Sequence, residues 1–159
     1  MDAANLSERR EPNPTGSRCS TAFRERSVSA RGGGGYGHWY DAEQAAKTRR
    51  HDGMQGHLAT ITSDEEDRFV WTNLPQAVAG GYWLGGFRGF RGRTALEGWY
   101  WVTGEPFEYT NWLGHGPNDY FGEDGLQYWP SADSARWNDI DRTSGFEPFV
   151  HGFLVEYTP

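Results

Sequence analysis

Short apolar runs broken by glycine, proline and asparagine fill the chain after Tyr82. These runs are Tyr82-Trp83-Leu84-Gly85, Trp99-Tyr100-Trp101-Val102, Leu126-Gln127-Tyr128 and Gly152-Phe153-Leu154-Val155-Glu156-Tyr157. Aromatic-rich runs of this length, bounded by turn residues, predict antiparallel β-strands. Because the sequence holds 22 Gly and 8 Trp, we expect a core of a few large rings connected by tight turns. Four rings inside the runs are predicted to be buried in that core: Trp83, Trp99, Trp101 and Phe153.

A helix is predicted from about Trp39 to Arg50, because its apolar side chains recur at helical spacing on one face. Gly53 follows, and glycine commonly ends a helix. The segment His57-Leu58-Ala59-Thr60-Ile61 is then predicted to form a short strand, since β-branched residues close it.

A second helix is predicted from Asp64 to Asn73. Ser63 and Glu66 have the spacing of a capping box, in which both side chains satisfy backbone donors at a helix start. Pro75 should end this helix. A long polar excursion then runs from Thr103 to about Asp124, between predicted strands, and long loops in compact domains are usually functional. Two helices followed by short antiparallel sheets and a long polar loop predict the α+β class.

The chain of 159 residues suits one domain. Residues 1–35 are rich in Ser, Arg, Pro and Glu and end in four glycines, which predicts a disordered or partly ordered tail and Gly-rich linker before a domain at 36–159. An edge strand over Phe23 to Ala30 is an alternative for part of this tail. Cys19 is the single cysteine, so no intrachain disulfide is expected.

Charge and hydropathy exclude several classes of partner. A net charge of -7 and a pI near 5.2 argue against nucleic acid as a ligand. No apolar run is long enough to insert into a membrane, and no secretory signal is visible in Met1 to Arg31. The basic and aromatic segment from Arg88 to Arg93 resembles an RNA-binding stretch locally, but a solvated turn is the favoured interpretation. Since no nucleophile, zinc-protease or phosphate-loop motif is present, an enzyme is not expected.

Several further segments occur in an order that resembles one known family, the C-type-lectin-like domain, in a disulfide-free form similar to those of bacterial proteins. The resemblance covers about Trp39 to Tyr157. The segments are Gly53 to Ile61, Tyr82-Trp83-Leu84-Gly85-Gly86, Gly98 to Pro106, Asn111-Trp112, Gly116-Pro117-Asn118, Glu123-Asp124, Arg136-Trp137-Asn138-Asp139 and Gly152 to Tyr157. In this family the bond before the residue matching Pro117 is commonly cis.

The resemblance implies that the domain binds carbohydrate through calcium. Residue by residue, the implied calcium ligands are Asn118, Glu123, Asn138 and Asp139. Calcium prefers hard oxygens of the kind that these carboxylates and amides offer. The family has Glu or Gln where this chain has Gly116, so one ligand is missing, and Asp119 or a water is the candidate replacement. Among nearby rings, Trp129 or Tyr128 is expected to cover the apolar face of a sugar.

Two alternatives stay open at this stage. Trp137 could simply be a core ring whose neighbours Asn138 and Asp139 cap a turn. The loop could also recognise a protein surface without sugar or calcium, which the glycine at position 116 favours. By resemblance, we expect the partner to be a carbohydrate or glycoprotein and the location to be extracellular or at the cell surface.

Overall fold

The computed structural model describes residues 27–32, 37–131, 133–143 and 150–158. Most of the predicted tail and linker therefore lies outside the described residues. The elements, in chain order, are β1 Ser27–Gly32, α1 Trp39–Lys47, β2 Arg50–His51, β3 Met54–Leu58, α2 Asp64–Asn73, α3 Pro75–Ala79, β4 Trp83–Arg88, β5 Trp99–Trp101, β6 Gly125–Tyr128, β7 Trp137–Ile140 and β8 Gly152–Thr158. Helices and strands occur together, as the predicted α+β class requires.

The first helix and the hairpin after it differ from the prediction at their ends. α1 starts at Trp39 but ends at Lys47, because the chain turns at once into the hairpin of β2 and β3. Asp52 and Gly53 adopt left-handed backbone at the tip of this hairpin, with φ of 48° and 84°. The predicted strand over His57–Ile61 is shifted, and β3 ends at Leu58.

The second helix has the predicted bounds. Ser63 is its N-cap, and the Ser63 hydroxyl accepts a hydrogen bond from the Glu66 amide at 3.2 Å. Pro75 follows the end of α2, as predicted. It also begins a third helix, α3, which was not predicted. Proline is well suited to the first turn of a helix, where its missing N–H has no partner to lose.

The strands form one sheet in the order β2-β3-β8-β4-β6-β7, with β1 paired to β8 and β5 paired to β4. β1 overlaps the alternative edge strand from Ser27 to Ala30 and extends it to Gly32, while Phe23 to Arg26 lie outside the described residues. The prediction that all strands pair antiparallel is wrong for β4 and β8, which are parallel at Trp83 and Phe153. These strands are far apart in sequence, so no hairpin turn between them signals their direction.

The core rings are confirmed, since Trp83, Trp99, Trp101 and Phe153 are all buried. Two clusters of buried side chains form this core. One centres on α2, α3 and the rings of β5 and β7, and the other packs α1 against β8. Within the part of the chain that the structure describes, no helix is long and apolar enough to cross a membrane.

Candidate functional site

The start of the long loop is fixed by a buried carboxylate on α2. Asp67 is 2% exposed and accepts hydrogen bonds from the Tyr128 hydroxyl at 2.6 Å, the Tyr109 hydroxyl at 3.0 Å and the Asn111 amide at 2.6 Å. Burial raises the pKa of Asp67, while the hydrogen bonds of these three donors lower it. Asp67 therefore joins α2, the end of β6 and the first residues of the loop.

The loop is also tied to β7. Leu113 donates its amide hydrogen to the Trp137 carbonyl at 2.9 Å, and Trp137 donates its own to the Asn111 carbonyl at 2.8 Å. The bond between Gly116 and Pro117 is cis, as the resemblance implied. Trp137 is fully buried, so the loop begins on a rigid part of the core.

Asp139 holds the next part of the loop. This residue is fully buried in β7, and its two carboxylate oxygens accept the Asn118 amide at 3.1 Å and the Asp119 amide at 2.7 Å. Asp139 lies within β7, and its carboxylate caps two backbone amides of the loop, which is the kind of role that the alternative to a calcium site predicted. Trp137 is a buried core ring, as that alternative also predicted.

Asn118 and Glu123 converge on one backbone amide. The Tyr120 N–H donates to the Asn118 side-chain oxygen at 2.8 Å and to the Glu123 carboxylate at 3.1 Å. Asp139 binds the two preceding amides. Three of the four residues predicted as calcium ligands are thus joined around the segment from Asn118 to Glu123.

Asn138, the fourth predicted ligand, is half-buried and lies beside Asp139 in β7. Its side-chain amide donates to the Asp139 carbonyl at 2.6 Å. Successive side chains of a strand point to opposite faces. The Asn138 side chain is therefore expected to point away from that of Asp139. The structure brings its backbone, but not its side chain, to the group around Tyr120.

Negative charge is concentrated at Glu123. Burial raises the pKa of Glu123 to about 7, and the Asp139, Asp119 and Asp141 carboxylates add to the rise, while the Tyr120 amide opposes it. The three carboxylates disfavour ionisation of Glu123, because like charges repel in a partly desolvated site. A bound cation would offset the electrostatic repulsion between Glu123 and these carboxylates.

Arg88 supplies one cation to this site, and here the sequence interpretation was wrong. The segment from Arg88 to Arg93 was expected to be a solvated turn, but Arg88 is the last residue of β4 and is 5% exposed. Its Nη1 lies 2.7 Å from Asp119 Oδ2, an ion pair in which the N–H is not aimed for a hydrogen bond. The strand continues beyond the apolar run, and strand alternation turns Arg88 inward. Neighbouring Gly89, Phe90 and Arg91 are exposed.

The donor chemistry and charge of the site fit calcium. Carboxylates of Asp119, Glu123 and Asp139 and the amides of Asn118 and Asn138 are hard oxygen donors. Asp119 Oδ1 is buried and has no hydrogen-bond partner among the described residues, so an acceptor is available there. However, no three His, Cys, Asp or Glu residues in the described ranges are arranged to hold a metal ion. The site therefore offers suitable atoms without a preassembled cage.

The aromatic residues near the site differ from the expectation. Tyr128 is fully buried and bonded to Asp67, so it cannot cover a sugar. Trp129 follows β6 and is 36% exposed. Two rings that were not predicted for the site, Tyr120 and Phe121, are 65% and 91% exposed, and their ring centroids are 4.3 Å apart. Two adjacent aromatic residues inside a polar loop were the available signal.

Known proteins resemble the chain over most of its length. The family model described as Lectin C-type domain matches residues 38–146. The chain is 32% identical over 118 residues to the alpha-N-acetylgalactosamine-specific lectin of Patiria pectinifera, covering 70% of this chain and 67% of that protein. Across the first curated relatives it matches, the chain spans 1% to 67% of their own length.

Solved structures share the fold. The carbohydrate-recognition domain of cow CD23, crystallised in the presence of a GlcNAc2Man3 oligosaccharide, superposes with a TM-score of 0.62 at 25% identity, covering 87% of this chain and 94% of that one. A calcium-independent type II antifreeze protein superposes with a TM-score of 0.60 at 25% identity, covering 91% and 97%. The chain therefore belongs to the C-type lectin domain family, whose domains bind ligands and are not enzymes.

Proposed function

We propose that this chain binds carbohydrate through the loop face that contains Asn118, Asp119, Glu123, Asn138 and Asp139, and that calcium completes the site. The observation that carries the proposal is the convergence of Asn118 and Glu123 on the Tyr120 amide, next to buried Asp139. This convergence supports the proposal, because amide and carboxylate oxygens of the loop lie next to a buried carboxylate of β7.

Calcium is the proposed ion because the cluster is acidic and all of its donors are oxygens. Asn118, Glu123, Asn138 and Asp139 are the proposed calcium ligands, within a shell that usually holds about six to eight oxygens. When bound, the ion supplies coordination to adjacent hydroxyls of a sugar. The Asn118 and Asn138 amides can also donate hydrogen bonds to those hydroxyls.

Exposed rings supply the apolar part of the proposed ligand face. Trp129 is the predicted ring, and Tyr120 and Phe121 are exposed on the loop itself. A sugar has one face of C–H groups that packs well on an aromatic ring. Loss of one such ring should weaken binding without removing the polar contacts.

The relatives support the ligand class but not the sugar. One relative is named as specific for alpha-N-acetylgalactosamine, and cow CD23 was crystallised with an oligosaccharide present. The calcium-independent antifreeze protein shows that the fold also occurs without a calcium requirement. We extend the proposal to a carbohydrate or glycoprotein partner outside the cell or at its surface.

A glycan array in calcium and in excess EDTA tests the proposal. We expect wild-type protein to bind a defined set of sugars in calcium and to lose that binding in EDTA. Glu123→Gln and Asn138→Ala should abolish the same signals, because each removes a calcium ligand. Glu65→Gln, a change on the exposed face of α2, is the matched control and should bind normally. Full binding in EDTA would refute the calcium step, and no binding to any glycan would refute the function.

A protein-binding function without sugar or calcium is the second candidate. Two observations favour it: Arg88 already neutralises Asp119, and Tyr120 and Phe121 present apolar rings to solvent. Thermal melting over a calcium titration separates the candidates, since a ligand that binds the folded state raises the melting temperature. A rise at roughly millimolar calcium or below supports the lectin function, and no rise supports the protein-binding one.

A further inference from the structure

Arg88 joins two loops through its side chain. Its Nε donates to the Glu97 carbonyl at 2.9 Å and its Nη2 to the Thr94 carbonyl at 2.8 Å, both in the connection between β4 and β5. Its Nη1 faces Asp119 in the long loop at 2.7 Å. The planar guanidinium is suited to such a role, because its donors are fixed in one fork.

The backbone of Arg88 binds the other end of the same segment. The Arg88 N–H donates to the Asp124 carbonyl at 2.7 Å. Asp119 and Asp124 bracket the residues that carry Tyr120 and Glu123. One residue of a core strand therefore holds both ends of the segment 119–124.

This segment has a backbone that needs support. Asp119 and Phe121 adopt left-handed φ of 53° and 52°, a conformation that is unfavourable for a residue with a Cβ. Such a conformation persists only when its surroundings over-determine it. The Arg88 side chain is 3% exposed, so solvent screens its attraction for Asp119 only weakly.

We propose that Arg88 is a positioning residue that acts as a built-in cation and keeps the segment 119–124 in its binding conformation when no calcium is bound. This inference deepens the proposed function and rests on it for its biological meaning. Calcium would then complete the contacts with the sugar without having to fold the loop. The loop amides of Asn118, Asp119 and Tyr120 should therefore stay hydrogen-bonded in metal-free protein.

Amide hydrogen exchange in EDTA tests this inference on the intact chain. In wild-type protein we expect the Asp119 and Tyr120 amides to be protected, since each donates a hydrogen bond. Arg88→Met should speed their exchange by about tenfold or more. Arg88→Lys keeps the positive charge but loses the planar guanidinium, so its exchange rates should lie between those of wild type and Arg88→Met. Arg68→Met removes an exposed ion pair with Asp64 on α2 and should leave loop exchange unchanged.

Asp119→Asn is the second variant, for the case in which a buried methionine prevents folding at position 88. It keeps the shape of the side chain and removes the charge that faces Arg88, so it should also speed loop exchange while α2 stays protected. Unprotected loop amides in metal-free wild type, or equal protection in all variants, would overturn the inference. Sugar binding is measured separately on the array, so protected amides with no glycan signal would refute the function and leave this inference intact.

Discussion

Two acidic residues contact the long loop, buried Asp67 and half-buried Glu123, and their surroundings are opposite. Asp67 is enclosed by donors, namely two phenols and an amide. Glu123 lies among other carboxylates, and burial together with their charges raises its pKa to about 7. A carboxylate surrounded by donors stabilises a fold, whereas one surrounded by carboxylates is stabilised by a cation from outside. Asp67 is thus a structural acid, whereas Glu123 is the acid that we propose binds a cation.

Asp67→Ala should cause the largest loss of stability. It leaves the fully buried Tyr128 hydroxyl and the half-buried Tyr109 hydroxyl without an acceptor. We therefore expect the free energy of unfolding to fall by about 3–5 kcal/mol. Urea unfolding measures this. Asp64→Ala on the same helix is the control, because Asp64 is exposed and its loss should stay within about 1 kcal/mol. Equal losses of stability in the two variants would contradict the structural role assigned to Asp67.

Gly122→Ala should reduce stability less than Asp67→Ala, and it should also disturb Glu123, the proposed binding acid. Gly122 has φ of 92°, and an added Cβ would overlap the Arg91 guanidinium. We expect a loss of about 1–2 kcal/mol from backbone strain together with weaker glycan binding, because Glu123 is the next residue. Gly104→Ala has a similar φ of 80° and open space around the Cβ. Gly104→Ala should lose a similar amount of stability and keep its glycan binding. Equal loss of glycan binding in both variants would show that the effect of Gly122→Ala is not specific to Glu123.

The smallest effect concerns pH. The folded form holds a proton on Glu123 at pH values where the unfolded form has released it, since the ordinary value of 4.5 rises to about 7. Stability of the metal-free protein should therefore fall as pH rises through that window. Glu123→Gln removes this contribution. Thermal melts of both proteins in EDTA from about pH 5 to about pH 8 measure the difference, and parallel curves would show that Glu123 does not titrate in this way.

The parts of the fold that were predicted correctly depend on local signals. Ser63 and Glu66 lie three residues apart, and this spacing alone placed the start of α2. The core rings of β4, β5 and β8 followed from their aromatic content. The end of α1, helix α3 and the parallel pairing of β8 were missed, because they depend on where distant segments pack.

The site could be predicted only in part, for the same physical reason. Motif order predicted Asn118, Glu123, Asn138 and Asp139 as calcium ligands, which stays a prediction, and it did not reveal the bond partners of each. Arg88 was missed because its role depends on Asp119, which lies 31 residues away in sequence. Tyr128 was assigned to a sugar face because its sequence position does not reveal Asp67 beneath it.

Isothermal titration of calcium into the metal-free protein tests the central claim most directly, with magnesium at equal ionic strength as the reference. We predict one binding event per chain at roughly millimolar affinity or tighter, and its loss in Glu123→Gln. Absence of heat up to about 10 mM calcium, or an unchanged isotherm in Glu123→Gln, would contradict the assignment of this acidic cluster as a calcium-completed site.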